Sequence, residues 1–424
     1  MIIGAVPAIR IARSNLSSIL HEGGRSVAGG RHRVRSFLVA AQVAGSLMLL
    51  IMAGLFARSL QKAQHADLGF QPQGVVDLGM DPSEIGYDEA RGLDFLKTTI
   101  ERVRELPGVD SASFTTAVPM GYFNSADSLT VDGFEPPKGQ PAPFAIFSAI
   151  SPDYFKTLGI PLVRGRAFTD ADNSTAPFVA IVNETMVRSY WHDTDPIGRQ
   201  FRIAGDFNHP IKVVGVAKNS RYNGATGEIG SNFYIPIAQH YSGNSLVSLQ
   251  VKSARPPQEM MREVERLVGT LAPDLPVFDV KTMTESLDTL NGLLIYKVGA
   301  GLAAAMGFLG LILAVIGVYG VISYAASQKT HEIGIRMALG ARPIDILKMV
   351  FNEGFLIVVG GIIGGLAAAV GIARVADNFI AVSATDPVTY VTVTVVLAAA
   401  ALAACWVPAR RSMRVDPMVA LRHE

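Results

Sequence analysis

Few groups in this chain are spaced to do chemistry. Asp170-Ala171-Asp172-Asn173-Ser174 has the carboxylate density of a calcium loop. Such a loop needs glycine at its sixth position for the sharp turn and a bidentate glutamate at its twelfth. Thr175 and Ile181 stand there instead, so a plain turn is expected. His192, Asp193 and Asp195 lie close together, but no further histidine follows at ligand spacing; a surface turn is expected over a zinc site. The sequence contains no G-x-S-x-G, no H-E-x-x-H and no evident triad, and it lacks the G-x-x-x-x-G-K-[ST] phosphate cradle. No catalytic, cofactor or metal centre is expected.

Two other patterns carry more. Glu332, Ile333, Gly334, Arg336, Met337, Leu339, Gly340 and Arg342 form a short mixed polar and apolar segment, which suits an interfacial helix. Ile333, Met337 and Leu339 would face the bilayer edge or a partner's groove, and Glu332, Arg336 and Arg342 would pair with charges on that partner. The plain alternative is a solvated connecting loop. Gly360, Gly361, Gly364 and Gly365 make two overlapping G-x-x-x-G pairs, and Gly310, Gly317 and Gly320 add small positions upstream. Glycines at that spacing let membrane helices approach closely. They would pack helices within the chain or form a homodimer or module-to-module interface.

These patterns need membrane helices to carry them, and the chain supplies four candidates. Ser36–Ala57, Val298–Gln328, Gly354–Ala373 and Pro387–Ala409 contain no Asp, Glu, Lys or Arg. Each reaches the ~20 residues needed to cross a hydrocarbon core. A mean hydropathy of +0.32 with 17% charged residues excludes an ordinary soluble enzyme. The net charge of +1 gives no general attraction to nucleic acid. The single Cys405 lies within the last span and has no partner for a disulfide. Arg10, Arg13, Arg25, Arg31, Arg33 and Arg35 precede the first span; Lys329, Arg336, Arg342 and Lys348 lie between the second and third; Arg410, Arg411, Arg414 and Arg422 follow the fourth. By the positive-inside bias both termini and that second link are cytoplasmic, and the long segment between the first two spans is outside, in the periplasm of a two-membrane cell.

The long segment reads as an α+β domain. A strand at Val75–Met80, a helix over Asp88–Leu106 with Leu93, Leu96, Ile100 and Val103 on one face, and a strand at Val109–Thr116 form one β-α-β unit. The stripe on that helix reads as ordinary core. A strand at Leu246–Lys252, a helix over Gln258–Leu271 and a strand at Val277–Val280 form another. A strand-rich subdomain, about 144–240, is inserted between them. The second span, at 31 residues, would be ~46 Å long as a helix, so its excess, with Thr284–Lys297 before it, is expected to project as a stalk. Leu60–Asp67 would extend the first helix alongside. Val6-Pro7-Ala8-Ile9-Arg10 and the residues up to Leu20 align without gaps to Val407-Pro408-Ala409-Arg410-Arg411 and on to Leu421, with six identities. Residues 1–30 would then be the tail of an earlier module in a tandem protein. The expected order is completed by a domain over 69–290, a stalk and second span over 291–328, a cytoplasmic segment over 329–348, spans over 349–374 and 387–409, and a tail over 410–424.

Several segments together resemble the MacB/FtsX-type permeases of ABC transporters, and within them the duplicated "orphan" permeases described from acidobacteria. They include Arg35-Ser36-Phe37-Leu38-Val39, Ser151-Pro152-Asp153-Tyr154-Phe155, Gly165-Arg166-Ala167-Phe168, Asp195-Pro196-Ile197-Gly198, Glu332-Ile333-Gly334-Ile335-Arg336-Met337-Ala338-Leu339-Gly340-Ala341 and Pro408-Ala409-Arg410-Arg411. The resemblance implies four transmembrane helices with a MacB-like periplasmic core. It implies that Glu332–Ala341 docks on a cytoplasmic ABC ATPase supplied in trans, whose cycle moves the helices and is relayed outward. Efflux or extraction of amphiphilic or peptide substrates from an inner membrane is the implied task. Implied partners are that ATPase, a second permease module or a homodimer mate, and a periplasmic adaptor or outer-membrane channel. The rival reading is a signalling or scaffold protein that activates an envelope enzyme.

Overall fold

The computed structural model describes residues 25–121, 125–136, 142–203, 209–224, 227–243, 245–289, 292–329, 333, 335, 336, 339, 341–375 and 386–412. The chain divides into two units: Leu60–Lys297 forms one, and the residues on either side of it form the other.

In the inserted unit, β1 (Val75–Met80), α2 (Glu89–Arg104) and β2 (Val109–Thr115) make the first β-α-β, and β10 (Val247–Ser253), α6 (Pro257–Leu271) and β11 (Val277–Thr282) the second. The first helix among the described residues, α1 (Arg25–Gln64), precedes them. Asp88 caps α2 by accepting the Arg91 N–H at 2.9 Å. The two units interleave. Their strands run in the order β11-β1-β10-β2 with every neighbour antiparallel, the split β-α-β arrangement. Register decides what each face buries. Leu78 lies opposite Leu249, which lies opposite Phe114; this row and its neighbours pack under Leu96, Ile100 and Val103 of α2 and Val264 and Val268 of α6. One residue along, Asp77 lies opposite Gln250 and Gln250 opposite Ser113. That row is also buried, so the opposite face carries polar groups away from water. Ser248 donates its hydroxyl to Asp77 Oδ1, and Ser286 donates to Oδ2 at 3.5 Å.

The inserted strands are β3 (Ser125–Val131), β4 (Phe144–Ile150), β5 (Leu162–Gly165), β6 (Val179–Asn183), β7 (Gln200–Ile203), β8 (Ile211–Ala217) and β9 (Asn232–Pro236). The short helices α3 (Tyr154–Leu158), α4 (Glu184–Trp191) and α5 (Ile237–His240) lie among them. The order β4-β3-β7-β8-β6-β9 returns to β4 through a parallel β4–β9 pairing. This mixed, barrel-like sheet removes most open edges. It is joined to the first four strands where Thr115 on β2 meets Ile150 on β4. Phe201 and Phe233 fill its interior, edge to face at 5.1 Å.

The other unit comprises α1 up to Ser59, α8 (Leu294–Gln328) from Val298 onward, α9 (Pro343–Val375) and α10 (Pro387–Ser412). All four helices are long and apolar enough to cross a membrane. Val43, Leu47, Ile51 and Leu55 recur every four residues along α1 and are fully buried, which fits a helix packed on more than one neighbour.

Three expectations need correction. Thr284–Lys297 does not run into α8 as a continuous stalk. Thr282 and Glu285 form a capping box that opens a four-residue helix, α7 (Met283–Ser286). The Leu293 and Leu294 N–H groups then bond back to the Leu287 and Thr289 carbonyls, at 2.8 and 3.1 Å. The chain turns there before α8 begins. α1 continues only to Gln64, so Ala66 and Asp67 are not part of it. α9 opens at Pro343, a residue suited to a helix's first turn; 343–348 are therefore helix rather than connecting segment.

Candidate functional site

The candidate link between α8 and α9 is described at residues 329, 333, 335, 336, 339, 341 and 342. Ile333 N–H bonds to Lys329 O at 2.8 Å and Leu339 N–H to Ile335 O at 3.0 Å, both with helical i to i−4 spacing. Ala341 N–H reaches Arg336 O at 2.9 Å, and Asp345 N–H bonds to Arg342 O at 2.9 Å as α9 begins. Glu332, Gly334, Met337 and Gly340 lie outside the described residues. Ile333 is 1% exposed, so it faces inward and is unavailable to a partner or to the bilayer edge, contrary to expectation. Ile333 bonds back to Lys329 just past the end of α8, and Ile346 and Leu347 at the start of α9 are likewise buried. Leu339 is 82% exposed and Ile335 40%. Arg336 and Arg342 are exposed beside them, with Arg336 Nη1 donating to Met349 Sδ at 3.1 Å. Among the described residues the link therefore exposes two apolar side chains and two cations.

The glycines sort by face. Gly361 and Gly365 are buried against α1: a Cβ on Gly361 would lie 2.7 Å from Val43 Cβ and 2.9 Å from Ala40 O, and one on Gly365 2.8 Å from Ala44 O. Gly360 has nothing within 4 Å, and Gly364 only Ala44 Cβ at 3.7 Å; both are exposed. On α8, Gly310 sits against Ser46 and Gly317 against Gln42 and Val39, and a Cβ on Gly320 would lie 3.6 Å from an Arg35 nitrogen. Inward glycines of α8 and α9 thus both meet α1.

Some residues of this arrangement escaped the sequence reading. Ser46 donates its hydroxyl to Gly310 O at 2.6 Å, as well as to Gln42 O on its own helix at 2.8 Å; only the missing side chain of Gly310 allows the first. Arg58 pairs with Asp386, which also accepts the Thr389 N–H (3.0 Å) and hydroxyl (2.6 Å) and so caps α10. The signal was present: Arg58 is the first charge after one uncharged span, and Asp386 directly precedes the proline that opens another. Asp172 gives both oxygens to Arg166, at 2.7 and 2.8 Å, and one to Thr169 N–H. The Arg166 guanidinium holds its carboxyl below the ordinary range, so it serves an ion pair. His192 and Asp193 both adopt left-handed backbone at the end of α4, with φ of 51° and 61°, and form a turn.

The class of molecule these features define is a multi-pass membrane protein carrying an extracytoplasmic α+β domain. Residues 36–267 match the MacB-like periplasmic core domain and residues 304–417 the FtsX-like permease C-terminal domain. The chain belongs to the MacB/FtsX-type ABC transporter permease family. It is 27% identical over 294 residues to the macrolide export ATP-binding/permease protein MacB 1/2 of Paracoccus denitrificans, covering 66% of this chain and 42% of that protein. It is 24% identical over 351 residues to the ABC transporter permease YknZ of Bacillus subtilis, covering 78% of this chain and 81% of that one. The periplasmic region of MacB from Actinobacillus actinomycetemcomitans covers 53% of this chain and 95% of its own length, at 15% identity and a TM-score of 0.37. The chain thus spans less than half the length of ATP-binding/permease relatives such as the Paracoccus protein.

Proposed function

We propose that this permease couples an ABC ATPase supplied in trans to movement of its extracytoplasmic domain, for efflux or extraction of amphiphilic or peptide substrates at an inner membrane. The observation that carries the proposal is the outward surface of Ile335, Arg336, Leu339 and Arg342, set between the ends of α8 and α9. A partner gripping there would pull on two helices whose inward glycines both rest on α1. α1 and α8 each contribute residues to both units, so the chain itself connects the gripped link to the extracytoplasmic domain. The Lys/Arg bias of the short flanks supports cytoplasmic termini. The outward Gly360 and Gly364 would meet a second copy or a second permease module. The likeness of residues 6–20 to 407–421 supports a tandem arrangement of the orphan type; residues 1–24 and 413–424 lie outside the described residues. A periplasmic adaptor or outer-membrane channel would complete an export path.

Co-purification with candidate ATPases, paired with an export assay, tests the coupling. Arg336→Glu and Leu339→Glu should each abolish ATPase capture and export while leaving membrane insertion intact. Wild-type capture and export in both variants would reduce the link to a connector. ATPase capture without export, together with activation of an envelope hydrolase, would favour the signalling reading.

A further inference from the structure

A cavity of about 700 Å³ opens in the inserted unit between α2 and the 168–173 loop of the barrel-like subdomain. This lies within the range of small-molecule sites, ~300–1,000 Å³. Its α2 wall is one helical face, from Leu93 through Leu96 and Ile100 to Arg104. Leu93, Leu96 and Ile100 belong to the stripe that reads as ordinary core in the sequence. They pack on the core and also line this opening, facing Phe168 and Ile237 of the subdomain.

Its charge is one-sided. Asp94, Glu101 and Asp170 line the cavity and are exposed; among the described residues none of the three has an ion-pair partner. Asp172 is neutralised by Arg166 and Asp153 by Arg104. Lys97 is the cation left over among the lining residues described. The Arg104–Asp153 pair, at 2.5 Å, bridges α2 and the segment after β4, tying the two walls together at one end. An apolar wall under three unpaired carboxylates, two on α2 and one on the opposing loop, against Lys97 alone, leaves a surplus of two negative charges and suits an organic cation. Its apolar body would cover the half-buried Leu93 and rest on the edges of Ile100 and Phe168, and its charge would sit between Asp94, Glu101 and Asp170. Anions would meet the same carboxylates unfavourably.

We infer that this cleft is a binding site for amphiphilic organic cations of drug-like size. The inference deepens the transport reading, which alone would make such a cation a substrate; the binding itself needs no ATPase. Fluorescence anisotropy of the lipophilic cation rhodamine 6G would be measured with the full chain in phosphatidylcholine nanodiscs, after subtraction of empty discs. Saturable binding is expected, weakened by salt and absent for the anionic dye fluorescein. The Asp94→Asn, Glu101→Gln double variant alters only exposed side chains and should raise the Kd at least tenfold. Ala238→Trp, which fills the cleft from the half-buried lip, should abolish binding, and Asp170→Asn should weaken it from the opposing wall. Unchanged rhodamine binding in the double variant and in Ala238→Trp, or equal binding of fluorescein, would overturn the inference. ATPase capture is scored separately on the same preparations. Dye binding without capture leaves the cleft standing and defeats the coupling proposal; capture without dye binding does the reverse.

Discussion

Replacing Asp77 by asparagine should stabilise the inserted unit at neutral pH. Asp77 sits on β1 in the buried polar row with Gln250 and Ser113, and is 2% exposed. Burial pushes its carboxyl up from the usual 3.8 to about 6, against the opposing pull of the Ser248 hydroxyl and of Lys281 on β11; Asp279, also on β11, pushes the same way as burial. The folded value lies above the unfolded one, so the native state holds a proton that the unfolded chain has lost between about pH 4 and pH 6. Stability therefore falls as pH rises through that window, and above about pH 6 the ionised group carries its full penalty. A gap of about two pH units at ~1.4 kcal/mol each amounts to about 3 kcal/mol. Asparagine keeps an oxygen to accept from Ser248, but adds an N–H₂ that needs a partner, at a cost of about 1 kcal/mol. The net gain at pH 7.5 should be about 2 kcal/mol, and little or nothing should remain at pH 4. Urea unfolding of residues 60–297, followed by circular dichroism at both pH values, measures this. Equal stability of the variant and wild type at pH 7.5, or an unchanged pH slope between 4 and 6, would refute the reasoning.

The segment 60–297 should fold without the membrane helices, because its hydrophobic core is drawn entirely from its own residues; a non-cooperative or aggregated product would contradict this. Gly365→Leu should destabilise the full chain in detergent by roughly 1–3 kcal/mol or more through collision with Ala44 and Leu47, while Gly360→Leu, which meets nothing, should keep the wild-type Tm. If Gly360→Leu also lowers oligomer mass at an unchanged Tm, that face meets a second module. Asn183→Ala should cost about 2–4 kcal/mol in the inserted unit, measured by the same urea titration. That fully buried side chain accepts from Met186 and Asn232 N–H groups and donates to Gly230 O. Accessibility labelling of intact cells at Ser231→Cys but not at Ser412→Cys is expected from the Lys/Arg bias; the opposite pattern would invert the topology.

Regular periodicity was what the sequence could display. The strand at Val75–Met80 has its bounds in the residues themselves, since Val75, Val76, Leu78 and Met80 lie between Gly74 and Asp81. Pro107-Gly108 marked the end of the region of α2, where Gly108 takes a φ of 83°. The two β-α-β units were legible for this reason. Their interleaving was not, because nothing local says that β10 enters between β1 and β2; that depends on pairings between residues more than 130 positions apart. The barrel closure through β4 and β9 is hidden in the same way, as is the cleft. Leu93, Leu96 and Ile100 have the spacing of a core stripe whether their outer edge meets protein or a ligand.

The membrane helices show the complementary limit. Four uncharged stretches are obvious in any reading, and so are the glycines within them, but a G-x-x-x-G pair does not say which helix it meets. Two such pairs overlap on α9 one residue apart, which rotates them by ~100° around the helix. They cannot both face the same neighbour squarely. The structure assigns Gly361 and Gly365 to α1 and leaves Gly360 and Gly364 outward. The overlap is therefore a division of labour rather than redundancy. One pair fixes α9 on α1 inside the chain, and the other lies on the adjacent, exposed edge, where Gly360 meets nothing within 4 Å. An inward substitution is expected to act on folding, and an outward one to act on assembly if that edge meets a second module, so a single residue's displacement separates the two effects in one protein.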